Sequence, residues 1–135
     1  MILRLSFEEI TAMNSAARRM LGGPGEGGVL APPAALAALE SRVPLEGDIS
    51  LATVADQLRL LRAVDLVLAH LKRRMDALVV EQYVGSEDAV NAYFDYANVL
   101  AVRAKLAEVG EEMEAILELI TGESGSGEAD IVFPD

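Results

Sequence analysis

The sequence predicts an all-α protein built on a long antiparallel helical hairpin at about residues 51–121. Residues 51–84 and 87–121 contain no proline, and in both stretches apolar side chains recur at alternating three- and four-residue spacing, as on the buried side of a helix. Gly85 and Ser86 interrupt the pattern. Because so short a connection turns the second helix back alongside the first, the two apolar seams must face each other. The seam positions are Leu61, Val64, Leu68, Leu71, Met75 and Leu78 in the first helix and Val99, Val102, Leu106, Val109, Met113, Ile116 and Ile120 in the second.

The distribution of charge agrees with this hairpin. Antiparallel pairing across the connection places Arg59 opposite Glu111 and Arg62 opposite Glu108, so that opposite charges meet. This agreement is independent of the apolar seams and supports the same register.

Serine residues precede both hairpin helices. Ser50 and Ser86 are predicted N-caps, because a serine hydroxyl can accept a hydrogen bond from a free backbone N–H of the first turn. Glu87 and Asp88 then lie in the first turn of the second helix, where negative charge is favourable.

An N-terminal helix is predicted over residues 6–21. Ser6 and Glu9 have the spacing of a capping box, and apolar residues follow at helical intervals. Arg18 and Arg19 lie in the last turn, where positive charge is favourable, before a pair of glycines. The residues before this helix can form a short strand.

The remaining segments are predicted as minor elements. Residues 22–31 form a Gly/Pro linker, residues 32–43 a short helix that begins with proline, and residues 45–50 a loop. Residues 1–121 then make one helical domain, and residues 122–135 make an acidic Gly/Ser tail.

Further apolar residues flank the two seams. A bare two-helix hairpin cannot bury them all. We expect the N-terminal helix and the short helix to cover one side, and we expect a second copy of the chain, most simply in a dimer, to cover the rest. The flanking residues are Leu58, Leu60, Leu66, Val67, Val79, Val80, Leu100 and Leu117.

Composition excludes several classes of function. The chain has no cysteine, so disulfides and thiolate chemistry are impossible. Its net charge of −11 argues against nucleic-acid binding, which needs basic side chains to neutralise phosphates. No run approaches the ~18 apolar residues of a membrane span, and the start lacks the apolar core of a signal peptide. We expect a cytoplasmic protein whose acidity serves solubility or a basic partner.

Few residues suggest chemistry. His70 is the only histidine, and cationic neighbours surround it, so a structural role is favoured over a general base. Asp95 lies in the seam, within predicted reach of Arg73 or Arg74, and is interpreted with Gln57 as a polar residue that fixes the register. Metal-ligand and phosphate-binding motifs are lacking. We therefore expect a non-enzymatic protein with no cofactor and no metal.

Two groups of residues suggest partner binding. Tyr83, Tyr93, Phe94 and Tyr96 cluster near the hairpin connection, where they either anchor a partner or pack the end of the hairpin. An acidic group lies toward the end of the second helix, where negative charge is unfavourable and a basic partner, or simply solvent, can offset it. It comprises Glu111, Glu112, Glu114 and Glu118.

Three apolar residues end the acidic tail. Ile131, Val132 and Phe133 are predicted to be buried, either in a hydrophobic groove or as a strand beside residues 2–5. The entropy lost by ordering the tail offsets most of the gain from burying them, so a displaceable anchor is expected.

These features predict a protein–protein interaction or assembly protein that self-associates through its hairpin. The alternative is an acidic inhibitor, similar to an antitoxin, that binds a basic protein. A small helical-bundle enzyme or ligand binder is the third possibility. Long hairpins with small accessory elements are typical of many unrelated bacterial and phage proteins, and that pattern carries over no functional residue.

Overall fold

The computed structural model describes residues 1–21, 47–121 and 132–134. In chain order these residues form β1 (Ile2–Leu3), α1 (Phe7–Leu21), β2 (Ile49–Ser50), α2 (Val54–Glu81) and α3 (Glu87–Thr121). The two long helices α2 and α3 pack along each other, and α1 packs on both. The predicted all-α hairpin with an N-terminal helix is confirmed. The predicted linker 22–31 and short helix 32–43 lie outside the described residues.

The register of the hairpin is close to the predicted one. The guanidinium of Arg103 lies 2.6 Å from the carboxylate of Asp65. The side-chain amide of Gln57 donates a 3.1 Å hydrogen bond to the carbonyl of Leu106. The first contact lies two residues from the predicted pairing. The carbonyl of Leu106 lies seven residues, about two helical turns, from the partner predicted for Gln57, although Gly110, which approaches the same side chain, lies only three residues from it. Arg59, however, pairs with Asp56 of its own helix at 3.5 Å, so the cross-hairpin pair predicted for it is wrong.

The capping box of α1 is present. The N–H of Glu9 donates to the hydroxyl of Ser6 at 3.1 Å, and the N–H of Ser6 donates to the Glu9 carboxylate at 2.7 Å. Glu9 also accepts a 2.6 Å hydrogen bond from Lys105, and Arg19 lies 3.6 Å from Asp95. Glu9 near the start of α1 contacts residue 105 of α3, and Arg19 near the end of α1 contacts residue 95. The helices α1 and α3 therefore run antiparallel.

The start of α2 differs from the prediction. Ile49 and Ser50 do not form a loop and a cap; they form β2, which pairs antiparallel with β1. Leu51 continues this pairing by bonding with Met1. Thr53 is the N-cap instead, and its hydroxyl accepts a 3.1 Å hydrogen bond from the N–H of Asp56. The backbone partners that β1 supplies hold these residues in an extended conformation, which a local capping signal cannot reveal.

The connection between α2 and α3 begins three residues earlier in the chain than predicted. The backbone leaves the helical region at Gln82 (φ −112°, ψ −91°), so α2 ends at Glu81 and not at Val84. On the other side, the hydroxyl of Ser86 accepts a 3.2 Å hydrogen bond from the N–H of Ala89, as its predicted role as N-cap requires.

The main core lies where three helices meet. Leu71, Val99 and Leu106 are fully buried there. At the far end of the seam, Ile120 is 64% exposed and Leu117 is buried instead, so the predicted burial of Ile120 is wrong. In a straight helix, residues seven positions apart are offset by about 20° around the helix axis. Over successive heptads this offset rotates Ile120 out of the seam.

One point of close helix–helix approach involves Gly110. A Cβ atom at this position would lie 2.7 Å from the side-chain nitrogen of Gln57. Gln57 is buried, and its amide needs that space to reach the carbonyl of Leu106. The glycine and the glutamine therefore fit each other at this crossing, and the register-fixing role of Gln57 stays a prediction.

Candidate protein interaction surface

Within residues 1–21 and 47–121, the hairpin has a three-helix part and a two-helix part. We call the part contacted by α1 the body, and we call residues 72–94, beyond Arg19 at the end of α1, the tip. The tip has a small core of its own, in which Leu78, Ala89 and Ala92 are buried. A two-helix segment has only one buried seam, so its other apolar side chains remain on the surface.

The aromatic residues near the connection have different environments. Tyr83, Tyr93 and Phe94 are more than half exposed, whereas Tyr96 is half-buried against the main core. Tyr93 and Phe94 form an edge-to-face pair with ring centroids 6.0 Å apart. The structure therefore places three of the four predicted aromatic residues on the surface of the tip and one in the packing of the body.

An uncharged apolar stripe runs along α3 on the side opposite its buried seam. We call it the α3 outer face. All its members are exposed and follow helical spacing. Asp95, the only charged residue between positions 89 and 102, pairs with Arg19 of α1 and does not interrupt the stripe. The α3 outer face consists of Val90, Tyr93, Phe94, Ala97, Leu100, Ala101 and Ala104.

The outward side of α2 has a different composition. Arg62, Asp65, Arg73 and Asp76 are exposed there beside Leu58 and Ala69. This mixture is what a solvated helix face normally carries. The helix α3 is therefore apolar on both sides over its first half, while α2 is amphipathic.

The apolar residues that flank the predicted seams divide into buried, half-buried and exposed groups. Leu60, Val67 and Leu117 are buried in the main core, as the covering helix predicts. Leu66 is half-buried. The exposed members are Leu58, Val79, Val80 and Leu100.

Sequence reasoning missed the alanines of the α3 outer face. Ala97, Ala101 and Ala104 are compatible with a buried or an exposed position, so apolar periodicity alone gave them no role. The signal that could have found them is the absence of charge over a dozen residues on the helix side facing away from the partner helix.

The acidic group on α3 is exposed as well. Among the residues that the structure describes, no ion pair involves any member of this group. The region therefore presents concentrated negative charge to solvent, in addition to Glu108 one turn earlier. The exposed members are Glu111, Glu112, Glu114 and Glu118.

Asp95 is held by a residue that the sequence did not suggest. The guanidinium of Arg19 lies 3.6 Å from its carboxylate, and of the two predicted partners Arg74 is near enough for its charge to act on Asp95. Burial raises the pKa of Asp95 above its ordinary value of 3.8, and the charges of Arg19 and Arg74 offset only part of this increase. Arg19 was assigned only a role at the end of its own helix, because its proximity to α3 depends on the docking of α1.

The residues considered for chemistry include one buried histidine. His70 is buried within α2. Within the described ranges, no group of three or more His, Asp or Glu side chains is arranged to hold a metal ion. No described helix combines the length and apolar character needed to cross a membrane.

The tail has one anchor among its described residues. Phe133 is only 4% exposed and joins the main core, and its N–H donates a 2.6 Å hydrogen bond to the carbonyl of Ala52. Val132 is 67% exposed, so its predicted burial is wrong; successive side chains of an extended segment point to opposite sides. Of the two predicted alternatives, the described tail residues do not form the strand beside residues 2–5, because the N–H of Phe133 bonds to Ala52 instead. Ile131 lies outside the described residues.

The chain matches no protein-family model, no curated protein and no solved structure.

Proposed function

We propose that this chain is a non-enzymatic assembly protein that associates with a second copy through the α3 outer face. The observation that carries this proposal is the apolar character of α3 on both sides over residues 89–102. A helix with two apolar sides is normally covered on both. The buried seam accounts for one side, and the described part of the chain leaves the other exposed.

The shape of the α3 outer face supports a second copy as the partner. Its aromatic side chains, Tyr93 and Phe94, lie toward one end, and its three alanines lie toward the other end on either side of Leu100. In a two-fold antiparallel pair, the large end of each helix meets the small end of the other. Large side chains opposite small ones allow close interdigitation.

The size of the stripe sets the expected strength. From Val90 to Ala104 it extends about 21 Å along the helix, at ~1.5 Å per residue. A single stripe of this length is small compared with obligate dimer interfaces, which bury more than ~2,000 Å². We expect a dimer that dissociates on dilution.

A charge introduced into the α3 outer face tests the proposal. Ala101→Glu places a carboxylate in the interface, where it would lose its hydration, and should convert the dimer to a monomer. Ala69→Glu is the matched control, because it makes the same change at an exposed alanine of α2. Sedimentation velocity at several concentrations measures the outcome. A wild-type chain that stays monomeric at high micromolar concentration, or an Ala101→Glu variant that still dimerises, contradicts the proposal.

A size exchange tests the antiparallel arrangement. Phe94→Ala and Ala101→Phe should each weaken the dimer, the first by lost contact and the second by a clash between bulky groups. The double variant should recover part of the lost affinity, because it restores a large group opposite a small one. Additive losses in the double variant would contradict the antiparallel pairing of these positions.

The acidic group supports a second candidate, an inhibitor of a basic protein. The observation that favours this candidate is the exposed cluster of Glu111, Glu112 and Glu114, which has no ion pair with the described residues. Such binding would weaken steeply as salt increases, whereas an apolar dimer would persist. Replacing the three glutamates by glutamine should abolish retention on a polylysine matrix, if this function is correct, and leave the dimer unchanged.

A further inference from the structure

The extended segment before α2 has two edges. Leu51 uses both of its backbone groups on one edge: its N–H donates to the carbonyl of Met1 at 2.7 Å, and its carbonyl accepts from the Met1 amino group at 2.8 Å. Backbone groups of successive residues in an extended chain point to opposite sides. The carbonyl of Ala52 therefore points to the other edge, where it accepts the N–H of Phe133.

The tail contributes one side chain to this edge. The Phe133 ring is almost completely enclosed by the main core, while Val132 and Pro134 on either side of it are exposed. Pro134 has no N–H and cannot extend the hydrogen bonding beyond the anchor. Among residues 132–134, one buried ring and one backbone hydrogen bond make the contact. Such a contact is small beside the entropy that ordering a segment costs.

We propose that the Ala52 edge and the pocket around Phe133 form a docking site for an extended peptide that carries an aromatic residue followed by proline. We infer further that its second occupant is the same C-terminal segment of another copy of the chain. Ten residues, 122–131, lie between α3 and Val132 in the sequence, and a segment held by so small a contact can leave its own pocket and enter an identical one. The site uses no residue of the α3 outer face.

A labelled peptide tests the site. The receptor is the full chain with Phe133→Ala, which leaves the pocket vacant, and the probe is a fluorescent peptide of residues 126–135. We expect saturable binding by fluorescence anisotropy, and binding at least tenfold weaker for the same peptide carrying Phe133→Ala. A peptide carrying Val132→Ala is the matched control and should bind normally, because that side chain is exposed. Absence of binding, or equal binding of the wild-type and Phe133→Ala peptides, overturns the site.

Further arms identify the occupant. The wild-type receptor should bind the peptide at least tenfold more weakly than the Phe133→Ala receptor, because its own tail competes. Unlabelled wild-type chain should displace the peptide from the Phe133→Ala receptor; failure to do so overturns the second-copy occupant. If circular dichroism shows that Phe133→Ala unfolds the receptor, peptide binding is measured with the wild-type receptor instead. Saturable binding that requires the phenylalanine of the peptide then supports the site, and absence of binding overturns it.

Peptide binding should persist in a receptor that also carries Ala101→Glu. This result would separate the peptide site from the dimer interface.

Discussion

The body and the tip are made of the same two helices, yet they bury their side chains to very different extents. In the body, α1 adds a third layer, and Leu71, Val99 and Leu106 are fully enclosed. In the tip, the seam continues with the same spacing and Leu78 is buried, but Val80 beside the seam is 85% exposed and Val84 in the connection is 75% exposed. Regular apolar spacing therefore specifies a helix and its seam, while the number of layers around it decides how much apolar surface remains for partners.

The largest expected difference between the two regions is in the cost of removing a seam leucine. Leu106→Ala in the body should lower the free energy of unfolding by ~2–5 kcal/mol, because the rigid three-helix core cannot collapse into the cavity. Leu78→Ala in the tip should cost at most the lower end of that range, because a two-helix segment can relax. Urea denaturation of the two variants, in the monomeric Ala101→Glu background, measures both. Equal losses would show that the tip is packed as rigidly as the body.

Glycine substitutions provide a second comparison. Gly110→Ala in the body places a methyl group against the Gln57 amide, so the buried hydrogen bond to Leu106 is lost at a cost of ~1–3 kcal/mol. This cost opposes the gain of up to ~1 kcal/mol that alanine brings to a helix.

Gly85→Ala in the tip is the matched control for this change. Its new methyl group would meet only the Tyr83 ring, at 3.4 Å, so the free energy of unfolding should change by less than ~0.5 kcal/mol. Thermal denaturation compares the two variants. A neutral Gly110→Ala variant would mean that the two helices can separate at this point.

Two carboxylates, Glu9 in the body and Asp95 next to the tip, should make the free energy of unfolding depend on pH in opposite directions. Burial raises the pKa of Glu9, but hydrogen bonds from Lys105 and Ser6 lower it below its ordinary value of 4.5. Its stabilisation is present above pH 4.5 and is lost as the pH falls through the folded-state pKa. Asp95, next to the tip, has a raised pKa, so ionising it opposes folding, and this penalty disappears as the pH falls through its folded-state pKa.

Substitution of the two carboxylates should therefore give opposite pH trends. Glu9→Gln should destabilise the chain at pH 7 and approach wild type in acid, as the native carboxylate also becomes neutral. Relative to wild type, Asp95→Asn should be more favourable at pH 7 than in acid. Urea denaturation across the acid range, with wild type as the reference, measures both trends. The same trend in both variants would contradict the assigned directions.

The smallest expected effect concerns the exposed surface of the tip outside the α3 outer face. Val80→Ser should change the free energy of unfolding by less than ~0.5 kcal/mol, because this side chain has little contact to lose. It should also leave the dimer intact, in contrast to Phe94→Ala. Sedimentation of the two variants side by side makes the comparison. A monomeric Val80→Ser variant would extend the interface from α3 onto α2.

The sequence by itself determined the helices and most of their seam. The capping box of Ser6 and Glu9 and the cap at Ser86 are local signals, since they involve residues only three positions apart. The seam is nearly local too, because apolar spacing follows the helical repeat. Gln57 was recognised for the same reason, as a polar residue in an apolar position.

Only the tertiary structure decided the contacts between distant parts of the chain. Ile49 and Ser50 became a strand because β1 supplied backbone partners, and Arg19 reached Asp95 because α1 docked there. The burial of Phe133 without Val132 depended on the Ala52 edge. The α3 outer face emerged in the same way, since apolar side chains become a surface only where no other helix covers them. Pairings of this kind depend on the free energy of packing between separate segments, which no local spacing records.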